Sequence, residues 1–575
     1  MNSVVLLVVA VVWLVAAYWL YGKHLERRVI APTDQPTPAI AQNDGVDYYP
    51  AKPVVLFGHH FASIAGAGPI VGPVLAVAYF GWGATVLWIF LGVVFIGAVH
   101  DYMALMLSVR NKGVSISEIA RQAVSPSARV LFMVFVWIAL VFVITAFAGA
   151  AASTFNQAPQ IVLPTFALMF IAVLFGFLAY RLRLNVGVST AIALALLALV
   201  IWLGFRAPIR LDPLLAKLGV EATAQNVKHA WILILLAYGV VASVLPVWVL
   251  LQPRDYIATW ILIIGMGMGF AGVLLSHPQM RAPAFTAAMT PKGPVWPMLF
   301  IIVACGAVSG FHSLVAGGTT SKQITSERQG LAIGYGSMLT EGALAVLALT
   351  AVGAGLYYSA SGAPAGAPTL MGFFAKGGGN PIGAFGKGFE ALTMPFLGPL
   401  GKAVGVAGLG MIVGTTMVNA FVMTTLDTSV RLTRFITTEL VGPLSRIFRN
   451  RLVASLAAVV PAYLLAVMPD AFKSVWPMFG ASNQLIAALA LIVASAYLFR
   501  RGKPTVYTIV PAVFMLVTTM AALAWQAYSH LVKAAKPNYA LGITALVLLV
   551  LAVGVAAQAL FVRREAAPAT QTPAE

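Results

Sequence analysis

Phe57-Gly-His-His-Phe-Ala-Ser-Ile-Ala-Gly-Ala-Gly-Pro-Ile-Val-Gly-Pro73 lies inside an apolar run long enough to cross a bilayer, yet Gly66, Gly68 and Pro69 interrupt it. An uninterrupted helix gains nothing from such residues. A helix broken at mid-membrane does, because unwound backbone exposes N–H and C=O groups that bind a solute or an ion. Lipid does not tolerate free backbone, so the break must face a cavity or other protein. His59 and His60 stand just ahead of it, and an intramembrane histidine is a binding or proton-relay candidate. The alternative is close helix packing through small residues, each histidine bonded to a neighbouring carbonyl.

The whole chain agrees with a membrane setting. Of its 575 residues 60% are hydrophobic and only 9% charged, against about 25% charged in soluble domains. Mean hydropathy is +0.92. The net charge of +18 does not indicate nucleic-acid binding, because the Lys and Arg fall in short clusters between apolar runs, where topology signals belong. Cys305 is the single cysteine, which excludes an intramolecular disulfide and offers no zinc pattern. The run from Val4 to Tyr21 lacks a basic leader and a convincing small-residue cleavage site, and reads as a first span rather than a signal peptide.

At roughly 20 apolar residues per crossing, the spans fall near 3–21, 54–80, 83–108, 128–154, 161–180, 186–204, 230–251, 256–276, 296–317, 330–358, 399–424, 452–469, 475–499, 506–528 and 540–562. The expected fold is all-α and polytopic, with about 15 transmembrane helices. Its expected parts are 1–53 (first helix and cytoplasmic loop), 54–424 (a transporter core), 425–451 (a cytoplasmic loop), 452–562 (additional helices) and 563–575 (a disordered tail). Placing the N-terminus outside and the C-terminus inside puts 23 of the 35 Lys and Arg on inner segments and 12 on outer ones, as the positive-inside rule requires. The 205–229 loop, with four basic residues on the outside, goes against the trend. The Gly-rich 359–398 region reads as re-entrant or interfacial.

Two further segments carry chemistry. In Tyr238-Gly-Val-Val-Ala-Ser-Val-Leu-Pro-Val-Trp248, Pro246 removes a backbone hydrogen bond in mid-span. This span begins five after the first broken one and runs the opposite way, as in two inverted five-helix repeats; an ordinary proline kink is the alternative. Ala304-Cys-Gly-Ala-Val-Ser-Gly-Phe-His-Ser-Leu-Val-Ala-Gly-Gly-Thr-Thr320 weakly echoes the first segment, a Gly and a His preceding Ala-Gly. Ser309, Thr319 and Thr320 are possible hydroxyl ligands for an ion or an acid, unless they only bond back to their own helix.

Acids inside spans are few: Asp101, Glu341 and, near an end, Asp427. A charge at the bilayer centre costs about +2.5 to +3.5 kcal/mol on insertion scales, so Asp101 and Glu341 are either proton carriers or structural partners of a buried base. Thr425–Arg434 reads as a charged cytoplasmic helix on the membrane face. No Walker loop, H-E-x-x-H, paired Cys or G-x-S-x-G occurs. The sequence therefore points to no enzyme, no metal and no cofactor.

Several ordered motifs resemble those of the carbon starvation protein A family. They are Gly58–Leu75, Leu245-Pro-Val-Trp with Gln252-Pro-Arg-Asp-Tyr256, Ala304–Ser313 with Gly317-Gly-Thr-Thr320, Ile333–Leu339, Tyr48-Tyr-Pro50 and Phe479–Gln484. The resemblance runs from about residue 20 to about 500. It implies bacterial inner-membrane uptake of small carboxylates, pyruvate above all, or of short peptides, induced when carbon runs short. It also implies the inverted-repeat core of the amino acid–polyamine–cation superfamily, with 54–80 and 230–251 as the two broken helices, and coupling to an ion gradient, by proton or sodium.

The resulting expectation is a proton-coupled symporter working by alternating access. The substrate carboxylate would sit at the helix ends exposed around Gly66, Gly68 and Pro69, favoured by backbone N–H groups and the helix dipole. Ser63, Pro246 and Trp248 would line the site. His59, His60 or His312 would carry the titrating proton, with Asp101 or Glu341. Expected partners are lipid and a small-molecule solute, without nucleic acid. A non-transporting nutrient sensor is the alternative of another class, disfavoured by the lack of a soluble output domain.

Overall fold

The computed structural model describes residues 1–45, 48–245, 250–356, 380–468, 471–534 and 537–559. Pro246, Trp248, most of the Gly-rich segment and the C-terminal tail lie outside them. The described residues are almost entirely helical; a two-residue strand pair, Met289–Thr290 with Gly293–Pro294, is the exception. Thirteen helices are long and apolar enough to cross a membrane, and the bent pair Pro53–Ile64 and Gly68–Phe80 forms a further span. The 16-residue helix Arg451–Ala466 occupies the remaining expected position. The protein is thus a polytopic helical membrane protein.

Local sequence sets the helix starts. Ser125 accepts from the Ala128 amide ahead of the 32-residue helix Pro126–Gln157, with proline at its first position. Asn185, Thr223 and Asn380 cap Val186–Arg206, Ala224–Val244 and Pro381–Val404 in the same way. Each cap satisfies an amide that has no partner inside its helix, worth about 1 kcal/mol.

Burial separates core from periphery. The apolar windows of Ser3–Ile30, Val186–Arg206 and Tyr539–Gln558 are 28%, 22% and 33% buried, whereas those of Val295–Lys322, Glu327–Leu356 and Ser474–Arg500 are 89%, 89% and 94% buried. The outer helices have lipid for a neighbour and the inner ones have protein. Pro126–Gln157 and the 33-residue Leu409–Val441 pack on each other. At 1.5 Å per residue each exceeds the roughly 30 Å hydrocarbon, so both must tilt or project beyond it.

Three expectations are corrected. The helix expected over 230–251 is Ala224–Val244, and it ends at Leu245, which is extended (φ −65°, ψ 150°). Leu245 precedes a proline, whose ring disfavours the helical conformation in the residue before it. The helix whose break meets the first break is instead Val295–Lys322. Second, Thr425–Arg434 is neither a loop nor a surface helix. It is part of Leu409–Val441, with Asp427, Arg431 and Arg434 buried; Asp427 pairs with Arg254, and Arg431 donates to the carbonyls of Ala242 and Leu245. Third, the 399–424 span is displaced: Pro381–Val404 is a separate helix packed on Leu409–Val441 and Leu251–Ser276.

Candidate functional site

Two broken helices meet at the centre. The first bends by 43° between Ile64 and Gly68; Ala65, at φ −74° and ψ 70°, leaves the helical region. The second stops at Val303. Ala304 takes φ 49° and ψ −128°, and the helix resumes at Phe311. A non-glycine residue so placed costs about 1–3 kcal/mol and persists only where its surroundings impose it; Ala304 is fully buried. A Cβ on Gly68 would lie 2.6 Å from Cys305 Cβ and Sγ, and one on Gly72 would overlap the Val303 carbonyl. Gly68 and Gly72 therefore let the two breaks touch. A Cβ on Gly66 would lie 2.5 Å from Thr425 Oγ1 and 3.5 Å from the Phe147 ring, so the two long helices close the other sides.

One side of this junction carries His312. Its Nδ1 is 2.7 Å from Asp101 Oδ2, and His100 Nδ1 is 2.7 Å from Asp101 Oδ1. With both ring nitrogens donating to the carboxylate, a neutral His312 presents the lone pair of Nε2. Facing it at 3.4 Å is Glu341 Oε2. Neither atom has a hydrogen-bond partner, and both residues are fully buried. Two acceptors in that position need a proton between them, on the carboxyl or on the imidazole. Cys305 Sγ lies within 4.8 Å of these ligand atoms, so three donors have the spacing that an exchangeable cation would use. The Ile64 carbonyl, last of the first half-helix, approaches His312 and links this cluster to the break.

The other side is an ion-pair network. Arg254 Nη2 donates to Asp255 Oδ1 at 2.7 Å, and Nη1 bonds both Asp427 Oδ2 and, at 3.0 Å, the Tyr238 hydroxyl. Tyr238 also donates to Asp427 at 2.5 Å. Asp255 Oδ2 sits 3.2 Å from His59 Nδ1 and accepts from Ser63 Oγ at 3.3 Å. Arg254, Asp255 and Asp427 are all buried. Arg254, which falls between the spans expected at 230–251 and 256–276, is therefore part of the protein interior.

The expected site residues separate accordingly. His312, Asp101 and Glu341 come together. His60 bonds elsewhere, its Nδ1 2.8 Å from Thr320 Oγ1, though it is close enough to His312 to interact with it electrostatically. His59 and Ser63 belong to the Arg254 network. Ser309 pairs with Asn483, whose Nδ2 donates to its Oγ at 3.1 Å, and Thr319 bonds back to Val315 of its own helix at 3.0 Å. Sequence reasoning missed His100, Asn483 and Thr425. His100 adjoins Asp101 in the chain, and that juxtaposition of two titratable groups inside a span was the available signal. Asn483 and Thr425 reach the breaks only through tertiary packing.

Comparison with known proteins identifies the family. The profile of the family described as "Carbon starvation protein CstA" matches residues 2–372 and 374–522. "Peptide transporter CstA" of Escherichia coli (strain K12) is 33% identical over 95% of this chain and 83% of its own length. "Pyruvate/proton symporter BtsT" of the same strain is 33% identical over 89% and 80%. Among solved structures, MhsT in complex with L-phenylalanine covers 88% of this chain and 99% of its own at 12% identity, with a TM-score of 0.45. The family match over nearly the whole length, with relatives at this identity, places the chain in the carbon starvation protein CstA family.

Proposed function

We propose that this nutrient transporter takes up small carboxylates, pyruvate above all, by proton-coupled symport with alternating access, in the inner membrane of a bacterium and with its N-terminus outside. The observation that carries the reading is the His312–Glu341 contact. Two unpartnered acceptors face each other in the protein interior, beside a broken helix, with Asp101 and His100 behind them. Among the described residues the cluster holds no lysine or arginine, so its charge is set by the protons it binds. A proton arriving there would neutralise the Glu341–His312 contact, and its release to the other side would return the cluster to its starting state. The N-terminal end of Gly68–Phe80 would receive the substrate carboxylate, since a helix N-terminus favours an anion; the Gly66 amide is already bonded to the Ile64 carbonyl at 2.8 Å.

The repeat relation is part of the proposal. Six full-length helices separate the first broken span from Val295–Lys322. If each crosses, the two broken helices run in opposite directions, as inverted repeats require. The second repeat would then begin at Val295. A second reading, uptake of short peptides, draws support from the relatives named peptide transporters. Proteoliposomes holding the purified protein, given labelled pyruvate or a labelled dipeptide with and without an inward proton gradient, test both. Gradient-dependent pyruvate accumulation supports the proposal. Dipeptide accumulation alone replaces the substrate, and no flux of either sinks transport in favour of a sensor.

A further inference from the structure

Three side chains from three elements converge beside the second break. Cys305 lies in the turn Ala304–Gly306, His312 in Phe311–Gly318 and Glu341 in Gly336–Thr350. The sulfur, a ring nitrogen and a carboxylate oxygen of these residues lie within 4.8 Å of one another. His312 Nε2 and Glu341 Oε2 are 3.4 Å apart. A four-coordinate ion with bonds of about 2.0–2.3 Å holds its ligands about 3.5 Å from one another. The imidazole and the carboxylate have that spacing already, and the thiol needs a movement on the order of 1 Å to join them.

The facing atoms are unsatisfied: His312 Nε2 and both Glu341 oxygens are buried without a hydrogen bond. Their surroundings suit a metal ion. His312 Nδ1 is held by Asp101 at 2.7 Å, which leaves the lone pair on Nε2, the usual support of a metal-ligating histidine. Asn483 Nδ2 donates to Cys305 Sγ at 3.4 Å, a bond that favours a thiolate. A thiolate and the Glu341 carboxylate carry two negative charges. A divalent ion would therefore leave the three-ligand site neutral in the protein interior, where an unbalanced charge is costly. The donor set also selects the ion. Mg²⁺ and Ca²⁺ take oxygen ligands, whereas one sulfur, one imidazole and one carboxylate suit Zn²⁺ or a similar first-row divalent ion.

We propose that Cys305, His312 and Glu341 form a binding site for one such transition-metal ion, with Asp101 and Asn483 orienting the ligands. Cys305 sits within the break, His312 on the helix that follows it and Glu341 on another helix, so a bound ion clamps the break in one arrangement. The proposal goes beyond the uptake reading, which gives the same contact to a proton. It rests on that reading only for the effect of the clamp on flux.

The test is a Co²⁺ titration of the purified, tag-free, full-length protein after treatment with a chelator. Cys305 is the only cysteine of the chain, so a thiolate-to-cobalt absorption band in the near ultraviolet reports this site and no other. The expected result is that band, saturating at one Co²⁺ per chain. Zn²⁺ should abolish it by displacement and raise the melting temperature by a few degrees. Asp101→Asn should keep the band and weaken binding by about tenfold. Cys305→Ser should lose the band and most of the Zn²⁺-induced rise in melting temperature, while melting close to the parent without metal. No band in the parent protein, or a Zn²⁺-induced rise as large in Cys305→Ser and in Glu341→Gln as in the parent, would overturn the site. In proteoliposomes, saturating Zn²⁺ should slow uptake at least tenfold, and a chelator should restore it; uptake unchanged by saturating Zn²⁺ would overturn the clamp. The band in a protein that takes up neither pyruvate nor a dipeptide keeps the site and removes the uptake reading, whereas uptake without the band does the reverse.

Discussion

Two buried polar networks flank the same broken helix, and the difference between them is a permanent charge. Around Arg254 a guanidinium meets Asp255, Asp427 and Tyr238, a cation that proteins do not deprotonate. Around His312 the described residues include no such cation; Asp101 and Glu341 face it, and His100 shares Asp101. Removing a partner from the first network strands a charge, while in the second the same charge balance can be met by taking up or losing a proton. The first arrangement ties Leu251–Ser276 to Leu409–Val441 and to Ala224–Val244; the second is suited to change during a cycle.

The comparison breaks most visibly if Arg254 is removed. Arg254→Ala leaves Asp255 and Asp427 without a counter-charge, and breaking a buried pair in this way costs about 3–5 kcal/mol. The expected outcome is a large drop in thermal stability and in the amount of folded protein recovered from the membrane. Adding Asp427→Asn and Asp255→Asn should recover much of that loss by removing the stranded charges. A triple variant as unstable as the single one would mean that packing, not charge, is what Arg254 provides.

His312→Gln is the matching test on the other side. Its effect should fall on transport: uptake driven by an inward proton gradient drops by about 100-fold, the scale of losing a positioned proton-transfer group, while the melting temperature stays close to that of the parent. Wild-type uptake should rise as the outside is acidified, because the gradient then points inward, and the variant should stay flat across the same range. A destabilised variant with unchanged pH dependence would make this network structural like the first.

Much of the division was legible in the sequence, though not which residue belonged to which network. Gly66, Gly68 and Pro69 marked the first break because breakers inside an apolar run have few other uses. His312, Asp101 and Glu341 stood out because titratable groups inside spans are costly. Arg254 misled, because a charged residue between two apolar runs resembles a loop marker until its partner is known, and Asp427 is 173 residues away in the chain. The same reasoning misplaced Thr425–Arg434. Hydropathy cannot distinguish a charge that faces water from one paired inside the protein. Pro246 attracted the second break by itself, whereas the break that meets the first one, at Ala304–Gly310, contains no proline.

A smaller change sharpens the roles within the His312 cluster. Asp101 bonds both His100 and His312, so it orients His312. Asp101→Asn keeps the size of the side chain and one acceptor oxygen, and removes the charge. Uptake should fall by about tenfold, at the lower end for loss of an orienting carboxylate, and its pH profile should shift while gradient dependence survives. Loss of gradient dependence would instead put the transported proton on Asp101 itself.

The smallest expected effect concerns the contact between the two breaks. Gly68→Ala places a methyl 2.6 Å from Cys305 Cβ and Sγ, which forces the broken helices apart by a few tenths of an ångström or more. Overpacking at this level costs about 1 kcal/mol, too little to unfold the protein. The Arg254 network, on the far side of the first broken helix, should not register it, so stability should change only slightly. Uptake should fall more than stability does, because the displacement alters the spacing between Ile64, Cys305 and His312. Cys305→Gly in the same chain removes the clashing atoms and should return uptake toward the parent value. If the double variant transports no better than Gly68→Ala, the small residue at 68 is needed for backbone freedom at the break rather than for the close approach of Cys305, and the two broken helices would not act as one unit.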